Sequence, residues 1–140
     1  MPDYPPYPVE LITPEGVAFQ GEAEMLVVPG AAGEIGVLAR HAPLVATLKA
    51  GSTRVHVAGG DVHEYATGPG FFKVELDRAI ALVDDAVRAI EIDDARARAQ
   101  LEEARAELER VERGESSADR WQLEQRIRHA ENQLAVSGRG

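Results

Sequence analysis

TRVHVAGGDVHEYAT, residues 53–67, decides the first half of the fold. Val55 and Val57 alternate with Arg54 and His56, so an extended chain sends one set of side chains into a core and the other into water. Gly59-Gly60-Asp61 supplies the residues a tight reversal needs, and Val62 to Thr67 runs back; the stretch predicts a β-hairpin. The same pattern continues outward in both directions. From Val9 to Asp84, short runs of Val, Ile, Leu, Phe and Thr are punctuated by Thr13-Pro14-Glu15-Gly16, Pro29-Gly30-Ala31-Ala32-Gly33, Lys49-Ala50-Gly51, Gly68-Pro69-Gly70 and Asp77-Arg78. Turns at that spacing give about eight to ten strands, and a sandwich or flattened barrel leaves the fewest edges open.

From Asp93 onward proline disappears, and Ala, Glu, Arg, Gln and Leu take over, all good helix formers. Ala97, Leu101, Ala104, Leu108 and Val111 lie along one narrow helical stripe, and Leu123, Ile127, Ala130 and Leu134 repeat it. Gly114-Glu115-Ser116-Ser117 separates the two, with Ser116 as the expected cap of the second helix and Asp119 three residues on. The expected fold is therefore α+β: an all-β sandwich over residues 1–92, then an antiparallel two-helix hairpin over residues 93–140. Alanine at several stripe positions makes that hairpin thinly packed and able to open locally.

Charge narrows the functional classes. The chain of 140 residues carries a formal charge of -9, and nucleic-acid binding needs the opposite balance. Residues 1–84 hold 11 acidic and 5 basic side chains, whereas residues 85–140 hold 13 and 10, all ten of the latter arginine. An arginine-rich helical arm is compatible with docking on a partner's carboxylates, although composition alone favours a solvated face laced with pairs such as Glu109 with Arg113. Cysteine is absent, so there is no disulfide or thiolate metal site. No apolar run approaches the roughly 20 residues that cross a bilayer, and the first residues lack the marks of a secretory signal.

Few groups could carry chemistry. Glu34 and His41 form an acid and a base near a Gly-rich turn, yet no nucleophile, metal set or orienting third residue accompanies them. They read as a turn glutamate and a histidine bonded within its own loop, or as contact residues. His56 and His63, on successive strands of the hairpin, are two potential ligands where a metal needs three or four. Pro29 to Gly36 and Gly68 to Gly70 lack the lysine and following helix of a phosphate loop. Trp121 lies off the second stripe; packed, it belongs to the hairpin, and exposed, it marks a docking contact.

Residues 21–48, GEAEMLVVPGAAGEIGVLARHAPLVATL, resemble the epsilon subunit family of F-type ATP synthase, whose mitochondrial counterpart is called delta. The resemblance lies in Pro29, Gly33, Glu34, Ile35 and Gly36 followed by His41-Ala42-Pro43-Leu44. It extends to Thr13-Pro14-x-Gly16, Leu48-Lys49-x-Gly51, Gly70-Phe71 and Ile92-Asp93-x-x-Arg96-Ala97. Two departures stand out. Ala39-Arg40 replaces the family's Pro-Gly or Pro-Asn before the histidine, where a residue tolerant of positive φ is expected, so a slightly remodelled loop is expected, and Pro69-Gly70 replaces Gly-Gly.

The resemblance implies a non-catalytic central-stalk subunit without a cofactor, monomeric alone, at the cytoplasmic face of the bacterial membrane. It implies a sandwich that binds the gamma subunit and rests on the c-subunit ring through Glu34 and His41. It also implies an arm that reaches the alpha and beta subunits and restrains ATP hydrolysis, here through Arg105, Arg110, Arg113, Arg120, Arg126 and Arg128. Ile92, Asp93, Arg96 and Ala97, with Arg128, resemble the motif by which some members bind ATP. Val87, however, replaces an acid, and Glu103, His129 and Gln133 replace arginines, so ATP is expected as a weak regulatory ligand or none. The competing reading is a free-standing sandwich module with a helical dimerisation arm.

Overall fold

A computed structural model describes residues 4–137. The chain forms ten strands: β1 (Tyr7–Thr13), β2 (Gly16–Ala23), β3 (Met25–Gly30), β4 (Gly33–Val37), β5 (Leu44–Leu48), β6 (Gly51–His56), β7 (Val62–Thr67), β8 (Gly70–Glu75), β9 (Arg78–Val83) and β10 (Ala86–Arg88). A 3-10 turn, Ala89–Glu91, leads to helices α1 (Asp94–Glu112) and α2 (Arg120–Ser137). Two compact units divide between Ala89 and Ile90, slightly before the expected boundary at residue 92. The extremes of the two expected segments, residues 1–3 and 138–140, lie outside the described residues.

The strands form one ten-stranded sheet in the order β10-β7-β6-β3-β5-β8-β9-β1-β2, with β4 paired to β3 off that path. Neighbours are antiparallel except β1 and β9, which run parallel with Val9 opposite Ala79 and Ile12 opposite Leu82. Nine of the ten strands contribute to one core of Val9, Leu11, Leu26, Val28, Leu48, Val55, Phe72 and Val74 with their neighbours, as expected of a sheet closed over itself. The hairpin of residues 53–67 forms as its alternation dictates: Thr53 and Val55 are buried, and Gly59 and Gly60 turn the chain with φ of +92° and +93°. Gly70 is required for another reason. A Cβ there would lie 1.9 Å from the Leu82 carbonyl oxygen, so β8 and β9 meet too closely for any side chain.

Most buried polar groups are paired; among the described residues, Arg88 Nε is a buried side-chain atom without a hydrogen-bond partner. Thr53 and Thr67 share a hydrogen bond of 2.8 Å, and the Tyr7 hydroxyl donates to the Val37 carbonyl at 2.6 Å, tying β1 to β4. Burial pushes the Tyr7 phenol up to about 12. The hairpin register sets Val55 opposite His63 and His56 opposite Val62, so the two imidazoles leave on opposite faces of the sheet and cannot share a ligand. His63 instead meets the edge of Phe19, with ring centroids 5.7 Å apart.

In the helical unit, Asp93 caps α1, its Oδ1 accepting from the Arg96 amide at 3.1 Å. The cap of α2 differs from the expectation at Ser116. Asp119 fills that place, accepting from the amides of Trp121 (2.9 Å) and Gln122 (3.3 Å), because Ser116 is held in the loop by a hydrogen bond to Glu107. Ala97, Leu101 and Ala104 of α1 and Leu123 and Ala130 of α2 are buried, while Leu108, Ile127 and Leu134 are only partly covered. The pair expected between Glu109 and Arg113 does not form; Arg113 ends α1 and its guanidinium turns to Glu115 at 3.5 Å.

Candidate docking surfaces

Three surfaces collect the candidate residues. The first surrounds β4. Glu34, at its start, is exposed and held by Arg54 in a two-pronged ion pair, Nη1 to Oε2 at 3.2 Å and Nη2 to Oε1 at 3.4 Å. His41, in the connection 38–43, is half-buried, and its Nδ1 lies 2.7 Å from the Ala42 carbonyl oxygen. The two side chains make no hydrogen bond to each other, so they present two separate polar contacts and no acid–base pair. Arg40 has φ of +61°, the positive value anticipated where the family's Gly or Asn is missing.

The second surface was missed in the sequence reading. Cross-strand partners share a face, and Val17 lies opposite Ile12, Ile12 opposite Leu82, Leu82 opposite Phe71, and Phe71 opposite Thr47. One nearly continuous apolar row thus crosses β2, β1, β9, β8 and β5 on the side away from the core. Phe71 is 62% exposed, Val17 56% and Leu82 51%, and Val45, one row over, is 72% exposed. The ion pairs Arg78–Glu10 (2.9 Å) and Lys73–Glu75 (3.1 Å) lie on the same strands as a polar border. Large apolar groups held open in this way on a rigid sheet mark an interaction site. A signal for it existed in Arg78-Ala-Ile-Ala-Leu-Val83: apolar residues at successive positions of one strand mean that neither face expects water.

The third surface is the arm. Arg105 reaches Glu131 across the hairpin at 3.1 Å, Arg120 reaches Glu112 at 3.0 Å and Glu124 at 3.1 Å, and Arg110 pairs with Glu107. With Arg113 on Glu115, four of the six candidate arginines are internally compensated; Arg126 and Arg128 are exposed and make no ion pair among the described residues. Of the nucleotide-motif residues, Ile92 is half-buried, Ala97 buried and Arg96 exposed, and the Asp93 carboxylate is engaged as the cap. Arg128 is not brought to them. The cross-hairpin pairs, with Ser137 on Asp94, set Arg128 level with the middle of α1, about 12–18 Å along the axis from Arg96. His129 and Gln133 hydrogen-bond each other at 2.9 Å. Trp121 is 66% exposed and so falls on the docking side of its two readings.

Residues 7–89 match the family described as the ATP synthase delta/epsilon chain, beta-sandwich domain. The chain belongs to this family of F-type ATP synthase subunits, whose members are non-catalytic components of the stalk. The ATP synthase epsilon chain of Persephonella marina is 42% identical over 106 residues, 76% of this chain and 78% of that one. The epsilon chain of Rubrobacter xylanophilus is 38% identical over 132 residues, covering 92% and 90%. Among solved structures, a chain of the Euglena gracilis mitochondrial ATP synthase, seen in a complex of OSCP, F1 and c-ring, superposes with a TM-score of 0.75 at 27% identity, covering 97% of this chain and 82% of that one. Membership in the family sets aside the free-standing dimerising module. No helix among the described residues is long and apolar enough to cross a membrane.

Proposed function

We propose that this chain couples rotation of the c-subunit ring to ATP synthesis by clamping the gamma subunit with the outer face of its sandwich. The observation that carries the reading is the apolar row from Val17 to Phe71: five strands of one rigid sheet hold it open, and burial of such side chains at about 25 cal/mol per Å² is the chief source of a lasting contact. Glu34 and His41 are the polar contacts to the ring loops. The place of work is the cytoplasmic face of the bacterial membrane, reached through these subunits.

The arm restrains ATP hydrolysis by meeting carboxylates of the alpha and beta subunits. Arg126 and Arg128 are available at once, whereas Arg105, Arg110, Arg113 and Arg120 must first exchange an internal carboxylate for an external one, which is nearly neutral in energy when both pairs are exposed. ATP binds this arm weakly or not at all, because Arg128 lies a long way from Arg96, and His129 and Gln133, bonded to each other, stand where the ATP-binding members have arginines.

The test is assembly with gamma and the catalytic head. The full chain forms a stoichiometric complex and slows ATP hydrolysis, Phe71→Asp abolishes the complex, and removal of residues 115–140 keeps the complex but restores hydrolysis. Wild-type affinity in Phe71→Asp would defeat the docking face, and unchanged inhibition without residues 115–140 would defeat the arm.

A further inference from the structure

The connection 38–43 reverses on a hydrogen bond from the His41 amide to the Leu38 carbonyl, 3.3 Å long. Leu38-Ala39-Arg40-His41 is therefore a β-turn with Arg40, at φ +61°, in third place. Positive φ there is the requirement of a type II turn, which glycine meets at no steric cost and asparagine at little. Arginine does not, because in the left-handed region its Cβ crowds the following carbonyl. Arg40 is the one non-glycine residue with positive φ among the described residues. Strain of this kind persists only where the surroundings over-determine it, and it clusters at functional sites.

That side chain is exposed and takes part in no ion pair among the described residues. Local acids do not balance it. Between Glu34 and Asp61 the sequence holds none, and Glu34 itself is committed to Arg54. Next to Arg40 stands His41, a second nitrogen base.

We infer that Arg40 is a specificity-determining contact, an arginine fork that pairs with a carboxylate on the polar loop of a membrane-ring subunit, alongside His41. This rests on the reading that the 38–43 connection meets the ring. A fork of parallel N–H donors matches a carboxylate or a phosphate. The charge of the chain selects the former. At -9 overall it is repelled by an anionic bilayer surface, whereas one carboxylate within a protein interface is met at bonding distance, inside the Debye length of about 8 Å.

The experiment compares wild type, Arg40→Gly and Arg40→Lys, each as the full chain binding to a purified rotor of gamma and ring from which this subunit has been removed, and to gamma alone. Arg40→Gly melts about 4 °C higher, since the turn is relieved, yet binds the gamma-ring rotor about tenfold more weakly at low salt, with unchanged affinity for gamma alone. The deficit shrinks as salt rises. Arg40→Lys keeps the strain and the charge but not the fork, so its melting temperature stays put and its affinity falls between the two. If Arg40→Gly binds the rotor as tightly as wild type, the contact does not exist, although the ring reading stands. If the ring adds nothing to the wild-type affinity for gamma, the reading beneath the inference fails and takes it down. Wild-type binding to phosphatidylglycerol vesicles that is lost in Arg40→Gly would assign the fork to lipid phosphate and overturn the carboxylate.

Discussion

The sandwich and the arm are built on opposite principles. In the sandwich, side chains as large as Phe72, Leu11, Leu26 and Leu48 are fully buried in one cluster fed by nine strands. In the arm, two of the three buried positions of α1 are alanines, and the hairpin is fastened at both ends by polar groups: Ser116 on Glu107 at the loop, Ser137 on Asp94 at the open end. Apolar burial is insensitive to salt and slow to give way; exposed polar fastenings are weak singly and exchange readily for other partners. On the function proposed above, in which the sandwich holds its partners while the arm changes state, both kinds of bonding are needed, kept in separate segments.

The contrast can be broken most forcefully in the core. Phe72→Ala removes a fully buried ring and costs the sandwich about 3–5 kcal/mol, read as a drop in the denaturation midpoint; a loss below about 1 kcal/mol would mean the core is far looser than described. Next in size is alkali. The Tyr7 phenol stands near 12 in the folded chain against 10.0 when exposed, so folding holds its proton more tightly. The stabilisation is complete below pH 10 and drains away as pH climbs from about 10 to about 12, by about 3 kcal/mol in total; Tyr7→Phe removes this slope. A smaller change belongs to the arm. Leu101→Ala costs about 2 kcal/mol, and amide exchange quickens throughout residues 94–137 while the sandwich amides keep their protection. Quickened exchange in the sandwich would show the two units to be one cooperative body.

The smallest effect sharpens the comparison at the other end of the pH scale. Hydrogen bonds from Ser116 and then from Arg110 hold the Glu107 carboxyl below the usual glutamate range. A carboxylate depressed by folding contributes above its unfolded pKa and loses that contribution as acid protonates the folded form. Below about pH 4 the loop end of the hairpin loosens slightly, seen as faster proteolysis between residues 113 and 119, and Glu107→Gln is loosened already at neutral pH. Acid therefore reaches the arm first, and alkali the sandwich.

Much of this was legible beforehand, for identifiable reasons. Local signals were read correctly: alternation around Gly59-Gly60 gave the β6–β7 hairpin, and apolar spacing gave both helices. At Arg40 the departure from the family's Gly or Asn pointed to a remodelled loop, whereas the chain keeps positive φ there. The cap of α2 was misplaced because Ser116 and Asp119 are both good caps, and what decided between them, the reach of Glu107, depends on a helix turn folded back nine residues away. The apolar row escaped for a deeper reason. Residues 12, 17, 47, 71 and 82 become neighbours only through the order of strands, and sequence spacing carries no trace of which strands pair. The histidine register is the same problem in miniature, since a shift of one residue decides whether His56 and His63 share a face.

The parallel joint between β1 and β9 has a bearing on biogenesis. Residue 12 finds its place only against residue 82, so the row that contains both cannot exist on a nascent chain until the ninth strand has left the ribosome. Loop closure over such a span is slow compared with the making of a hairpin. If the row docks as proposed, it is thus a certificate of completion: fragments released early and chains with an unfinished sheet do not display it, and the assembling motor is spared from taking up defective parts.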